Sequence, residues 1–275
     1  MESGRDLNSA GALYNSSGAT HVGFADTCDS LNAIEFAVYM TKRTTWSELK
    51  EALASDFESD EALRSLLVNR APKFGMDDSS AEHSVAVRNS QRLVKFLYDQ
   101  YQAKRNPRGG KYRPAFWTMT NHAGLGKIGC ALPSGRKAHE VFSSGITPGS
   151  QCGKDLTGAY LSVAKLGSKW TPGGVALNMK YTPVALPEDG DSYHSTFGDM
   201  FEGYFRAGGM QVQYNLYTYE TLMEAVEHPE KYSDLVVRVS GYSAYFNDLN
   251  DAMKRELITR TQYGLTSGEA VPVPQ

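Results

Sequence analysis

Apolar residues recur every three to four positions in four segments of the first part of the chain, and this spacing predicts four helices. The first helix is predicted to begin at Asp29 or Ser30. The second begins at Thr45, because Thr45 and Glu48 form a capping box in front of an apolar run. A short third helix and a long fourth helix, from about Ser80, follow. The apolar positions are Leu31, Ile34 and Val38; Leu49, Leu53 and Phe57; Leu63, Leu66 and Leu67; and Val85, Val87, Leu93, Phe96, Leu97 and Tyr101.

The sequence pattern changes between Lys111 and Pro187, where glycine and proline are frequent and the apolar runs are short. This pattern predicts strands joined by long loops. From Ser195 an aromatic-rich segment predicts a helix that ends at Gly208 and Gly209, since glycine is favoured just beyond a helix C-terminus. The alternating run QVQYNLYTY that follows predicts a strand.

The last part of the chain alternates the same two patterns. The pattern from Thr221 to His228 predicts a short helix that Pro229 ends, and the run LVVRV predicts a strand. A final helix is predicted from Asp251 to about Thr261. The tail GLTSGEAVPVPQ is rich in glycine, serine and proline, which predicts disorder or docking on the surface. Alternation of helices and buried strands indicates an α/β architecture.

Composition narrows the class of partner. Lys and Arg total 28 against 31 for Asp and Glu, and the net charge is -3. This balance gives no electrostatic reason to expect a nucleic acid or an anionic membrane, so a small molecule or a protein is the expected partner. No uncharged apolar run is long enough to span a bilayer, and no N-terminal h-region is present. We therefore expect a soluble, cytoplasmic protein.

The three cysteines, Cys28, Cys130 and Cys152, are far apart and have no histidines at metal-ligand spacing. This pattern predicts reduced thiols and no metal site. Cys28 is predicted near the start of a helix, where the dipole could lower its pKa, yet a small buried apolar role is favoured over a reactive one.

Three other features have both a functional and a structural interpretation. Asp77 and Asp78 could be paired carboxylates, but they also suit a helix N-terminus, which we favour. Gly124 and Gly126 form a lone GxG without the third glycine of a dinucleotide site. His122, beside them, is more often a satisfied buried histidine than a catalyst.

The most informative stretch is DLVVRVSGYSAYF, from Asp234 to Phe246. Gly241 follows a strongly β-forming run, where a glycine should weaken the strand. Taken alone, this placement predicts a bulge or a tight turn at the end of the strand.

The segment RVSGYSAYF, followed by KRELITRTQY, resembles the C-terminal signature of glycyl radical enzymes, the pyruvate formate-lyase-like family. Further segments resemble the same family in the expected order. They are APKFGMDDSS, ALPSGRKA, SGITP, ALNMKYTP and MQVQYNLYTYETLMEAVEHPEKY. The resemblance covers nearly the whole chain apart from the tail.

The resemblance implies a fold and a division of the chain. The fold is the ten-stranded α/β barrel of the family, with the glycyl radical loop directed toward its centre, and this chain would supply the C-terminal half. Residues 1–133 would belong to the barrel domain, 134–264 to the glycyl radical domain and 265–275 to a flexible tail. A partial barrel leaves strand edges unpaired, so a missing N-terminal part or subunit is expected.

The resemblance also assigns roles. Gly241 would carry the radical, installed as a post-translational modification by a radical S-adenosylmethionine activase with an iron-sulfur cluster, and no other cofactor or metal would be bound. A Cβ would oppose planarity at the radical carbon, and glycine has none. Arg238, Ser240, Tyr242 and Ser243 would support the loop, although an ion-paired Arg238 and ordinary turn serines remain open. Arg260 is expected to make a structural contact at the end of the last helix.

The same resemblance implies that this chain lacks the cysteine to which the radical is passed. The family's thiyl cysteine precedes the segment that this chain contains, and Cys28, Cys130 and Cys152 do not match it. The complete enzyme is expected to be a homo-oligomer that acts on a small organic substrate.

The runs FWTMTNHAGLGK, ALPSGRKA and VFSSGITPGS resemble the fumarate-adding members most. Pyruvate formate-lyase, arylacetate decarboxylase and diol or choline lyase chemistry remain alternatives. A non-catalytic replacement subunit and an ordinary α/β binding module remain further alternatives.

Overall fold

The computed structural model describes residues 4–76, 81–149, 152, 156–181, 190–259 and 262–263. These residues form an α/β structure, as predicted. The helices are α1 (Phe24–Ile34), which continues as a π-helical turn (Glu35–Met40), α2 (Trp46–Ala54), α3 (Glu61–Arg70), α4 (Ala81–Gln102), α5 (Asn121–Ile128), α6 (Leu156–Ala164), α7 (Gly190–Arg206), α8 (Tyr219–Glu227) and α9 (Asp251–Thr259). The strands are β1 (Ser17–Thr20), β2 (Tyr112–Ala115), β3 (Asn178–Tyr181), β4 (Gln213–Asn215), β5 (Val236–Arg238), β6 (Ser243–Tyr245) and β7 (Gln262–Tyr263).

The strands form two parallel sheets and one antiparallel hairpin. β1 pairs with β2, starting at Ser17 opposite Tyr112, and β3 lies between β4 and β7. A parallel bridge between Phe116 and Val175 links the extension of β2 to the approach of β3. Parallel pairing requires long crossover connections, and helices α1 to α4 supply the connection from β1 to β2.

Three large clusters of apolar side chains, and a smaller one beside Tyr242, hold the described elements together. The largest joins α1, α4, α6 and β3, and its fully buried members include Phe116, Ile146 and Leu177. A second cluster packs the end of α1 against α2 and α3. The third packs α8, the hairpin of β5 and β6, and α9 around Phe246. The hairpin is therefore anchored from one side by its own core.

Several predictions about elements are confirmed and others are wrong. The capping box at Thr45 is present, with both reciprocal hydrogen bonds made. Helix α1 begins at Phe24, earlier than predicted, because a positive-φ glycine rather than a polar cap precedes it, and Asp29 is buried inside the helix. Helix α7 begins at Gly190 rather than Ser195. The tail and Arg260 lie outside the described residues.

The stretch from 111 to 187 contains two helices, α5 and α6, where strands and loops were predicted. Helix α6 has the sequence LTGAYLSVA and is buried on nearly all sides, so no polar face marks a helical period. Helix α5 includes two glycines, which disguise it as a turn. Within the described part of the chain, no helix combines the length and apolar character needed to cross a membrane.

Candidate radical site

Gly241 lies at the tip of the hairpin that joins β5 to β6. Its φ is +86°, and the turn is closed by a hydrogen bond of 3.0 Å from the Val239 amide to the Tyr242 carbonyl. Gly241 is exposed, and a Cβ built there would meet no atom within 4 Å. Glycine is therefore required by the backbone conformation, which L side chains rarely adopt, and not by crowding in this chain.

Ser240, the residue before Gly241, is completely buried and joined to two distant segments. Its Oγ lies 3.2 Å from Thr118 Oγ1 and 3.4 Å from the Thr118 amide nitrogen. Asn178, the first residue of β3, places its Nδ2 3.4 Å from the same oxygen. Three polar groups therefore converge on the side chain that immediately precedes the glycine.

Thr118 continues this contact toward α5 and α9. Its Oγ1 accepts a hydrogen bond of 3.1 Å from the Gly145 amide and lies 3.1 Å from His122 Nδ1. His122 is fully buried, and its Nε2 lies 3.8 Å from the Glu256 carboxylate. Within the part of the chain that the structure describes, Nε2 makes no hydrogen bond. The expected satisfied buried histidine is thus buried, but only one of its nitrogens is hydrogen-bonded.

A second polar path runs from Asn178 to Arg238. Gln213 Nε2 donates to Asn178 Oδ1, and Gln213 Oε1 accepts from Arg238 Nη2 at 3.0 Å. Arg238 Nη1 donates to Ser243 Oγ at 2.9 Å, across the antiparallel pair. Arg238 and Ser243, two of the residues singled out from the sequence, are therefore brought together.

Asn215 attaches the backbone of the hairpin to the end of β4. Its Nδ2 donates to the Arg238 carbonyl, and its Oδ1 accepts from the Arg238 amide, both at 2.8 Å. Tyr217 adds a hydrogen bond of 2.6 Å to the carbonyl of Val236. The outer edge of β5 is consequently occupied by side chains.

Tyr242, on the other side of Gly241, is half-buried against the small apolar cluster of Ala123, Val239 and Met253. Burial raises the pKa of the Tyr242 hydroxyl from its ordinary value. The residue therefore contributes to the site as an apolar contact with α5 and α9.

The other sequence candidates lie elsewhere or play structural parts. Cys28 is fully buried in α1, and burial raises the pKa of its thiol well above the ordinary value. The predicted role of Cys28 as a small buried side chain is therefore confirmed. Gly126 belongs to α5, where a Cβ would meet the Glu140 carbonyl oxygen at 2.4 Å, so it serves close packing. Asp77 and Asp78 lie outside the described residues. Among the residues that are described, no three His, Cys, Asp or Glu side chains converge as metal ligands would.

Comparison with known protein families agrees with this geometry. Residues 1–126 match the Pyruvate formate lyase-like family model, and residues 142–247 match the Glycine radical model. The second match contains the hairpin and Gly241. The chain belongs to the glycyl radical enzyme family. Within this family, a glycine radical domain indicates a radical carried as a post-translational modification.

Relatives within the family are 30–33% identical to the chain over the aligned residues. Trans-4-hydroxy-L-proline dehydratase of Clostridioides difficile is 33% identical over 265 residues, which are 95% of this chain and 32% of that protein. (2S)-3-sulfopropanediol dehydratase of Klebsiella oxytoca is 30% identical over 274 residues, covering 95% and 32%. The glycerol-bound B12-independent glycerol dehydratase of Clostridium butyricum superposes with a TM-score of 0.88 at 33% identity, covering 96% and 33%.

The chain spans about a third of the length of the curated relatives it matches. Further glycyl radical relatives include isethionate sulfite-lyases, an indoleacetate decarboxylase and formate acetyltransferases. None of the relatives named here is named for addition to fumarate, so the sequence-based preference for that reaction is not supported. The superposition confirms the predicted fold, since the structural neighbours have the barrel of this family.

Proposed function

We propose that the chain is the radical-storing part of a glycyl radical enzyme that removes water from a small hydroxylated substrate, with the radical on Gly241. The conformation of Gly241 carries the proposal: a glycine with φ of +86° at an exposed hairpin tip, preceded by a completely buried serine. Arg238, Ser240, Tyr242 and Ser243 are proposed to support the loop. The match of this segment to the Glycine radical model supports the same assignment.

The radical, once installed, would supply the hydrogen-abstracting power that an unactivated C–H bond requires. The chain's own residues hold both neighbours of Gly241: the Ser240 side chain through Thr118 and Asn178, and the Tyr242 carbonyl through the Val239 amide. Loss of water removes one hydrogen and one hydroxyl from neighbouring carbon atoms and needs no external oxidant. Pairing of radical and substrate in a closed site would prevent side reactions with water.

An activation experiment tests the assignment of Gly241. The full-length protein that contains this chain is incubated without oxygen with a radical S-adenosylmethionine activase and S-adenosylmethionine. We expect an electron paramagnetic resonance doublet that Gly241→Ala abolishes. Gly109→Ala is the matched control, because Gly109 has a similar φ of +81° and equally open space around its Cβ position. A doublet that persists in Gly241→Ala, or disappears in Gly109→Ala, contradicts the assignment.

Dehydration is preferred over other family chemistry because three relatives named as dehydratases match 95–96% of the chain at 30–34% identity, whereas the isethionate sulfite-lyase at 34% and the formate acetyltransferase at 30% match 88% and 87%. The activated protein should convert one or more of a panel of small diols and hydroxylated amino acids, with release of water and retention of all carbon atoms. The same protein is offered toluene with fumarate, pyruvate with coenzyme A, and arylacetates. Turnover of one of these and of no hydroxylated substrate would overturn the dehydratase assignment while leaving the radical site intact.

The missing part of the barrel is proposed to supply the cysteine that relays the radical, since the relatives are about three times as long as this chain. The family matches at 1–126 and 142–247 support a division near residue 133 between barrel and radical domains. The match of 1–126 to the barrel model also disfavours a small replacement subunit. Residues 1–275 alone should turn over no substrate. Turnover that is lost in a Cys28→Ala, Cys130→Ala, Cys152→Ala variant would show that the relay lies in this chain.

A further inference from the structure

A buried row of polar groups leads from α9 to the residue before Gly241. It consists of the Glu256 carboxylate, the His122 imidazole, the Thr118 hydroxyl and the Ser240 hydroxyl. The exposed fractions of His122, Thr118 and Ser240 are all 0%. Because the two hydroxyl groups, of Thr118 and Ser240, are shielded from water, their hydrogens and lone pairs are expected to be satisfied within the protein.

The direction of this row follows from counting donors and acceptors at Ser240. Its Oγ is approached by two groups that can only donate, the Thr118 amide and Asn178 Nδ2. These donors occupy both lone pairs of the oxygen. The remaining hydrogen of Ser240 must therefore be donated to the Thr118 Oγ1, 3.2 Å away.

The same count applies at Thr118. Its Oγ1 accepts from the Gly145 amide at 3.1 Å and from Ser240, so its lone pairs are also filled. Its own hydrogen then points to His122 Nδ1, 3.1 Å away. His122 Nδ1 must accept this hydrogen, which requires the neutral tautomer with the hydrogen on Nε2.

Glu256 favours the same tautomer from the opposite end. Its carboxylate lies 3.8 Å from His122 Nε2, and a negative charge attracts an N–H and repels a lone pair. The reverse direction, with the hydrogen on Nδ1, would leave the Ser240 hydrogen without an acceptor among the described residues and three donors on one oxygen. Only this direction gives the hydrogens of Ser240 and Thr118 an acceptor without placing three donors on one oxygen, and it leaves the Nε2 hydrogen facing the Glu256 carboxylate at 3.8 Å, beyond hydrogen-bond length.

We infer that His122, held with its hydrogen on Nε2 by Glu256, is a positioning residue that fixes Ser240 and, through it, the peptide bond on the N-terminal side of Gly241. This inference rests on the proposed function, because it assigns a consequence to the radical. The unpaired electron of a glycyl radical delocalises into its flanking peptide groups. Their orientation therefore sets the electron's distribution and the direction in which the radical meets its partner atom.

Matched variants separate this role from simple core packing. In Thr118→Val the hydroxyl is replaced by a methyl group of similar volume, and Thr118→Ser restores the hydroxyl. Thr171→Val is the control, since Thr171 is also buried, at 2% exposure, and contacts Ser168 and Met210 instead of the hairpin. Each protein is activated in its full-length form, and spins per chain, hyperfine splitting and turnover per spin are measured.

We expect Thr118→Val to lower turnover per spin about tenfold and to change the hyperfine splitting of the doublet, as one or two buried hydrogen bonds are lost. Thr118→Ser and Thr171→Val should stay within about twofold of the unaltered protein. The inference is overturned if Thr118→Val matches Thr171→Val in both readouts. Absence of any doublet in the unaltered protein would refute the proposed function instead, so the two failures are distinguishable.

A direct measurement of the tautomer needs no radical. Histidine labelled with ¹⁵N in the unactivated protein should show a protonated Nε2 and an unprotonated Nδ1 at His122. The signal is assigned by its loss in His122→Asn, a variant that keeps an oxygen acceptor facing Thr118. A protonated Nδ1 at His122 would overturn the inference whatever the variants do.

Discussion

The buried carboxyl of Asp29 predicts that part of the chain's stability decreases as the pH rises. Asp29 lies inside α1, with 4% of its surface exposed, and accepts a hydrogen bond of 2.7 Å from the Phe74 amide. The pKa of Asp29 is raised from 3.8 to about 7, because burial and the neighbouring Asp26 carboxyl together outweigh the opposite effects of the Lys73 ammonium and the Phe74 amide. Desolvation is the largest of these effects.

The sign follows from proton binding. Between the unfolded pKa of 3.8 and the folded pKa of about 7, folded Asp29 keeps a proton that the unfolded chain has released. The favourable contribution is therefore complete below about pH 4 and is lost as the pH rises through about 7. Each unit of pKa difference corresponds to about 1.4 kcal/mol, so the loss across this window is about 4 kcal/mol.

The Asp29→Asn variant isolates this effect, because an amide keeps an oxygen acceptor for Phe74 and does not titrate. The free energy of unfolding is measured in urea between pH 4 and pH 8 for both proteins. The difference, unaltered minus variant, should fall by about 4 kcal/mol as the pH rises, since contributions from groups that do not interact with Asp29 cancel. Asp60→Asn makes the same change at an exposed helix cap and serves as the control. A difference that stays constant or increases with pH would refute the reasoning.

Three further predictions concern single groups. Tyr214→Phe should stabilise the chain by about 1 kcal/mol, because the buried hydroxyl has no hydrogen-bond partner among the described residues. Tyr204→Phe should destabilise the chain by about 1 kcal/mol, because it removes a hydrogen bond of 3.1 Å to the Gln211 carbonyl. Urea unfolding distinguishes them, and equal effects would contradict the argument. Arg136→Leu should lower the free energy of unfolding by about 3 kcal/mol, since the buried guanidinium donates hydrogen bonds to three backbone carbonyls. An unchanged thermal unfolding midpoint would contradict this prediction. Air exposure of the activated full-length protein should break the chain next to Gly241, and mass spectrometry showing breaks elsewhere would count against the radical assignment.

Sequence patterns predicted those elements whose signals are local. The capping box of Thr45 and Glu48 needs only four neighbouring residues, and the structure contains it. Helix α6 was missed because its neighbours bury it on almost every side, so its residues carry no alternation between polar and apolar faces. The start of α1 was misplaced because Asp29 resembles a cap, while its carboxyl is instead buried against Phe74.

The residues of the candidate site also fall into two groups: those that a local motif identifies and those that only the fold brings together. Gly241 and Ser240 are adjacent and belong to one motif, so their sequence identifies them. Thr118 and Asn178 lie 122 and 62 residues away from Ser240, and only the folded chain brings them to it. Nothing local marks Thr118 as different from any other threonine. His122 was noticed, but its partners on both sides are set by tertiary structure, so its proposed role could not be derived from the pattern.

Asn215 joins the hairpin to β4 through side-chain hydrogen bonds. The register of β5 against β6 is therefore separate from the register of the parallel sheet. Of the described strands, β5 pairs with β6 and with no member of the parallel sheets. The side-chain amide of Asn215 makes two hydrogen bonds to the Arg238 backbone, as one residue of a neighbouring strand would. Among the described strands, no backbone ladder continues from this contact. Inserting or deleting a residue in the hairpin therefore does not shift the alignment of β3 with β4. We therefore expect that a hairpin from a relative can be grafted between residues 235 and 246 if it keeps the serine facing Thr118, the arginine that contacts Gln213 and the buried apolar side chains at 237 and 246.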